Sequence, residues 1–241
     1  MERDWAGKLA TFIKRTISPD GRDTYETTRA LSERMLEFAG VQRGERVLDL
    51  GCGWGASMHA FAPRFASALG VDLSEENIRR ARAAFAGDTH VAFQQGRIED
   101  LTLPAGSVDL VVSSLVLHQV VRGGWERLFS TVARMLRPGG EMVMADEIIL
   151  FEPEAAPEKF NRVYRYLLAH TTPRDVYESQ IKPHLREGYI YTWEDMKAST
   201  PPEYWFYSIG DLDAALEGAS LQIADIQEIS PFFGLLRITH R

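Results

Sequence analysis

The chain has 241 residues, 45% of them hydrophobic, and a formal net charge of -7. That length fits one α/β domain with an insertion, or one and a half domains, and the acidic balance, without a dense Lys/Arg run, speaks against a nucleic-acid binder that works through a basic footprint. A single cysteine, Cys52, leaves no internal disulfide, the charged start lacks a signal-peptide core, and no run reaches roughly 18 apolar residues, so a cytoplasmic protein without membrane spans is expected.

In chain order, residues 24–40 place Ala30, Leu31, Met35, Leu36 and Ala39 at helical spacing, with Gly40 as a C-cap. The short apolar run Val47–Leu50 before a glycine cluster reads as a buried parallel strand. A helix is predicted over 55–67, a strand over 67–73, a helix over 74–86 with Ser74 as N-cap, and strands over 91–96 and 108–114. A helix over 124–136 is predicted to stop at the turn "RPGG", followed by a strand over 141–149. Strands alternating with helices imply βαβ units and a mainly parallel sheet.

Beyond Leu150 the rhythm changes. Residues 151–208 hold six prolines and seven of the eight tyrosines, which reads as an inserted helical cap. A helix over 209–219 and strands over 221–229 and 232–240 follow. The link "SP" between the last two permits a hairpin and no helical crossover, so the last strand is expected to run antiparallel.

The stretch "VLDLGCGWG" at 47–55 is a strand turning into a helix, where free backbone N–H groups and glycines allow close approach of a ligand. With Ala56 it also satisfies G-x-G-x-x-A, the dinucleotide fingerprint, whereas no G-K-[ST] follows as a Walker loop requires. A glycine-rich turn without a ligand is the remaining possibility. Asp49 would repel a pyrophosphate and suits a ligand carrying an ammonium. Asp72, ending the next strand in "GVDLS", stands where an acid accepts both hydroxyls of a ribose, or else caps a turn.

Four motifs in order, "VLDLGCGWG", "GVDLS", "GRIEDLTLPAGSVDLVVSSLVLH" and "LRPGGEMVMADE", resemble those of class I methyltransferases that use S-adenosylmethionine, over about residues 40–150. The resemblance implies a Rossmann-like α/β fold: a seven-stranded mainly parallel sheet, last strand antiparallel, with helices on both faces. It implies a core of residues 41–150 and 209–241, an N-terminal helical lid segment at 1–40, and the cap insertion at 151–208. It places Asp49, Gly51 and Gly53 at the amino-acid end of S-adenosylmethionine, Asp72 at the ribose, Leu73 and Ile98 at the adenine, and Ser113, Ser114 and Leu115 beside the methionine part. Arg97 stands where the family often has an aspartate that binds the adenine amino group. Arginine has no acceptor, so Glu99 or a backbone carbonyl takes that part while Arg97 stacks on the ring or points to solvent.

Methyl transfer from a sulfonium is largely a matter of alignment, and a base helps when the nucleophile carries a proton. His118, after the fourth strand, is the first candidate for a base or substrate contact, against a helix-start histidine bonded to backbone. Asp146 and Glu147 end the fifth strand at the same edge, with Asp146 as the second catalytic candidate and Glu147 as a substrate contact. Tyr25 and His170 are further pocket candidates. The cap tyrosines form an aromatic wall around a substrate or the packing of a helical subdomain, with packing favoured for most.

The expected partner is a small-molecule acceptor with an N or O nucleophile, with no nucleic acid, membrane or metal, and a monomeric or homodimeric chain. An NAD-dependent oxidoreductase using the same loop, and a noncatalytic cofactor-binding homologue, are the alternatives. No [DN]-P-P-[YF] stretch speaks for DNA-base amino methylation, and one cysteine speaks against arsenic methyltransferases built on a cysteine cluster.

Overall fold

The computed structural model describes residues 28–171, 174–199 and 206–241. Helix α1 (Thr28–Phe38) leads into β1 (Gly44–Leu50), a short helix α2 (Met58–Phe61), β2 (Phe65–Asp72), α3 (Glu75–Ala84), β3 (Val91–Gln95), β4 (Val108–Ser114), α4 (Trp125–Met135) and β5 (Leu136–Glu147). Then come α5 (Pro157–Thr171), a single turn α6 (Arg174–Val176), α7 (Trp193–Ser199), α8 (Ile209–Gly218), β6 (Leu221–Ser230) and β7 (Phe233–His240).

The strands form one sheet in the order β3-β2-β1-β4-β5-β7-β6. Pairs from β3 through β5 are parallel, and β7 runs antiparallel to both β5 and β6. The central strands alternate between two cores, as a two-residue period requires. Val47, Leu110, Val112, Val143 and Ala145 join one core with Leu31, Met35, Phe61 and Ile78. Leu48, Leu50, Val111, Met142 and Met144 join the other with Trp125, Leu128, Phe129, Leu212 and Leu216.

Two predicted boundaries move. The helix expected over 55–67 shrinks to α2 plus a 3-10 turn, Ala62–Arg64. Pro63 lies at the start of that turn and cannot donate a helical hydrogen bond, and Phe65 is already buried in β2. The "RPGG" turn is instead part of β5, which begins at Leu136 directly after α4. Gly140 favours this: a Cβ there would lie 3.0 Å from the Val108 carbonyl oxygen, so a side chain would push β5 away from β4.

In the 151–208 region five aromatic side chains pack on one another. Phe160 stacks on Tyr164 at 5.8 Å and meets Trp193 edge-on at 5.3 Å, and Tyr191 contacts both Tyr164 and Tyr189. Arg165 lies over Tyr191, and its guanidinium donates to the Arg186 and Tyr189 carbonyls. Among the described residues no helix is long and apolar enough to cross a membrane.

Candidate cofactor and methyl-transfer site

Strand order reverses direction at β1, with β2 on one side and β4 on the other, and in open α/β sheets this opens a crevice at the carboxyl edge. The topology delivers Asp49, Asp72, Ser113, Ser114, Leu115, Asp146 and Glu147 to that edge from four strands.

The loop after β1 is tied down by Gly51 and Cys52, whose N–H groups both donate to the Val71 carbonyl at 2.8 and 3.0 Å. Gly51, Gly53 and Gly55 all have positive φ, at 73°, 54° and 89°. At Gly51 a Cβ would lie 2.4 Å from Val116 Cγ2. Gly51→Ala therefore adds left-handed strain to a steric clash, and is expected to lower unfolding free energy by about 2–4 kcal/mol in a urea titration. Around Gly53, by contrast, a Cβ would meet nothing within 4 Å, so its backbone borders open space.

Asp72 is held by three donors. One carboxylate oxygen accepts from the Gly53 N–H at 2.9 Å, and the other from the Ser74 N–H at 2.8 Å and the Asn77 side-chain amide at 3.2 Å. Ser74 caps α3 by accepting from the Asn77 N–H. Leu73, the next residue, is 64% exposed, a large apolar side chain left open at the edge. Ile98 is buried at the start of a 3-10 turn, Ile98–Asp100. Glu99 is buried and pairs with the half-exposed Arg97 guanidinium at 2.7 Å.

Asp49 lies at the floor of the loop, buried, and accepts a hydrogen bond from the Ser57 hydroxyl. Burial raises its pKa from 3.8 to about 7; the Ser57 bond works in the opposite direction and the nearby Asp72 charge adds to the rise. Among the described residues no cation figures in these influences. Burial also pushes the Cys52 thiol up, with both aspartates pushing the same way, so it stays a protonated packing group.

At the ends of β4 and β5, the Ser113 and Ser114 hydroxyls are buried without a hydrogen-bond partner among the described residues. Leu115 takes φ +59°, an outlier for a branched side chain of the kind that collects at functional sites. His118 Nδ1 lies 2.5 Å from one Asp146 oxygen, and the His118 N–H donates to the other at 3.2 Å. Burial disfavours the imidazolium, but the Asp146 charge and hydrogen bond, together with Glu147, outweigh it, so the His118 pKa is raised. Tyr207 is fully buried and donates its hydroxyl to Asp146 at 3.0 Å. Its ring meets Trp125 edge-on at 4.8 Å.

Sequence reasoning thus names Asp49, Asp72, His118, Asp146 and Glu147, which the sheet brings to one edge. It missed Ser57, Gln119 and Tyr207. A signal for Tyr207 exists: it precedes the Ser208–Asp211 capping box by one residue, the position whose apolar side chain packs with the fourth helical residue, here Leu212 in the same core. Tyr25 and the side chain of His170 lie outside the described residues.

A family model described as a methyltransferase domain matches residues 47–140. The chain is 31% identical over 192 residues to 27-O-demethylrifamycin SV methyltransferase of Amycolatopsis mediterranei, covering 74% of this chain and 66% of that one. It is 35% identical over 111 residues to an uncharacterised methyltransferase of Synechocystis, covering 46% of this chain and 51% of that one, so the chain spans only about half of that relative's length. Among solved structures, the geranyl diphosphate C-methyltransferase of Streptomyces coelicolor, crystallised with Mg2+, geranyl diphosphate and S-adenosyl-L-homocysteine, matches with a TM-score of 0.65 and 18% identity over 91% of this chain and 81% of that one, a likeness of fold alone. Ordered motifs, sheet topology and relatives converge, and the chain belongs to the class I S-adenosylmethionine-dependent methyltransferases.

Proposed function

We propose that this chain binds S-adenosylmethionine in the β1–β2 crevice and transfers its methyl group to a small molecule through an oxygen or nitrogen nucleophile. The observation that carries this reading is Asp49: a buried carboxylate beneath the glycine loop, with burial driving its pKa to about 7 and, among the described residues, no cation to offset it. Such a site favours a positively charged ligand and disfavours the diphosphate of NAD. The unpaired Ser113 and Ser114 hydroxyls and the open space at Gly53 fit a polar ligand beside them.

In this reading Asp49, Gly51 and Gly53 hold the amino-acid end of the cofactor. Asp72 takes the ribose hydroxyls, since its two oxygens are already aimed by Gly53, Ser74 and Asn77. Leu73 and Ile98 face the adenine with Glu99 and Arg97 at its edge, and Ser113, Ser114 and Leu115 flank the methionine part. The bound cofactor supplies a methyl group already activated on a sulfonium. His118, oriented by Asp146, accepts the proton that the nucleophile gives up, and Glu147 borders the acceptor. The relative acting on demethylrifamycin, a small-molecule methyltransferase by its name, supports a small-molecule acceptor.

Asp49 makes binding pH-dependent. Its folded pKa is raised, so between about pH 4 and pH 7 the ligand-free fold holds a proton that the unfolded chain has lost; fold stability from this group is present below that window and falls, by about 4 kcal/mol in all, as pH rises through it. A cationic ligand selects the ionised form, so its affinity changes in the opposite sense. S-adenosylmethionine affinity is expected to weaken by up to about tenfold per pH unit below about pH 7, and Asp49→Asn to remove that dependence while weakening binding. A flat wild-type profile in calorimetry from about pH 5.5 to about pH 7 contradicts this role.

Calorimetric titration with S-adenosylmethionine, S-adenosylhomocysteine and NAD tests the reading as a whole. Binding of the first two and not of NAD is the expected result. Binding of NAD alone overturns it.

A further inference from the structure

His118 is held from both sides. On one side Asp146 acts as an acceptor: the Tyr207 hydroxyl and the His118 and Glu147 N–H groups all donate to it. Nδ1, 2.5 Å from the same carboxylate, therefore carries a hydrogen. On the other side, Nε2 lies 3.3 Å from the Gln119 amide nitrogen. The orientation of that amide follows from its second contact, because the same nitrogen lies 3.0 Å from the Leu115 carbonyl oxygen, which can only accept. An amide nitrogen only donates, so Nε2 must accept. These contacts specify the tautomer of the neutral ring, with hydrogen on Nδ1 and the lone pair of Nε2 facing the Gln119 amide.

We propose that Gln119 caps the His118 base: its amide N–H keeps Nε2 an acceptor until substrate binds and yields that position to a methyl acceptor bearing an O–H or N–H. This rests on the methyltransferase reading and narrows it to a class of substrate. One donor replaces another at Nε2, so a nucleophile with a proton to give fits, and an alkene carbon or a tertiary amine does not. In the proton step the nucleophile's O–H or N–H bond breaks, its electron pair stays on the nucleophile, and a new N–H bond forms at Nε2. Once Nε2 carries hydrogen, the amide N–H facing it becomes a second donor, so Gln119 must swing away or present its carbonyl oxygen. Gln119 acts through His118 and is a positioning residue.

Among the described residues, the groups seen to set the His118 charge include Asp146 and Glu147, which favour the imidazolium, and Tyr207, which bonds to Asp146, while burial opposes it. Gln119 works with burial. Ring 15N NMR on full-length, ligand-free protein labelled at histidine tests this directly, with the His118 signals assigned by their loss in His118→Asn. At pH values above its raised pKa, the wild-type ring is expected to show the Nδ1–H tautomer. Gln119→Ala is expected to raise the His118 pKa by about half a unit to one unit, the worth of one hydrogen bond. Gln119→Glu, which puts an acceptor beside Nε2, raises it further. An Nε2–H tautomer in wild type, or a pKa that stays or falls in Gln119→Ala, overturns the cap. Titrating the same wild-type sample with S-adenosylhomocysteine separates the two ideas: absence of binding sinks the methyltransferase reading, while the ring signals judge the cap alone.

Discussion

His118→Asn is expected to slow methyl transfer by about 10²–10⁴-fold while leaving S-adenosylmethionine affinity within about twofold, because a positioned base contributes that much to the proton step and is not one of the groups proposed to hold the cofactor. Asparagine is the informative replacement. Its amide can still donate to Asp146, so the buried carboxylate keeps a partner and the fold is spared, but it cannot take up a proton. Single-turnover rates with a hydroxyl- or amine-bearing acceptor, read beside calorimetric affinity, separate the two effects. Full turnover removes His118 from the chemistry. A parallel loss of cofactor affinity assigns it to binding instead. The raised His118 pKa sets the pH response: the ring becomes an effective base only as pH rises through that value, so the wild-type rate should climb with pH across the range above the ordinary histidine value.

Asp72→Ala is expected to weaken S-adenosylmethionine binding by about a hundredfold, the loss of two hydrogen bonds to a charged acceptor at about 1.5 kcal/mol each. The carboxylate also fastens the loop, since Gly53, Ser74 and Asn77 all donate to it, so part of the loss comes from a loosened Gly53. Asp72→Asn keeps the shape and one acceptor oxygen, and should fall between the two. Unchanged affinity in Asp72→Ala, with the variant shown folded by circular dichroism, removes Asp72 from the ribose site.

Elements that local pattern determines are legible in the amino-acid sequence. The apolar run at β1, the strand over 108–114 and the final hairpin follow from burial, period and link length, and the fold has them in those places. The family motifs likewise point to the carboxyl edge. Local pattern fails where a tertiary contact decides. Gly140 reads as a turn former beside Pro138 and Gly139, but its missing Cβ serves close pairing with β4. Gln119 and Tyr207 are unremarkable in sequence, one after a histidine and the other before a helix. Their parts come from Leu115, whose backbone conformation places a carbonyl near Gln119, and from Asp146, 61 residues before Tyr207 in the chain. The seven-tyrosine region invites an aromatic substrate wall, yet Tyr164, Tyr189 and Tyr191 spend their faces on one another and on arginines. The alternation of Gly51, Gly53 and Gly55 leaves two cofactors open. Asp49 bears on the choice, because burial raises its pKa and a cationic ligand, unlike a diphosphate, favours its ionised form.

A crystal structure of the complex with S-adenosylhomocysteine tests the central claim most directly. The expected complex has the ribose hydroxyls on the Asp72 carboxylate, the amino group beside Asp49 and Gly51, and the sulfur turned toward the edge that carries His118 and Asp146. A ligand seated elsewhere, or seated with Asp49 and Asp72 both out of contact, contradicts it.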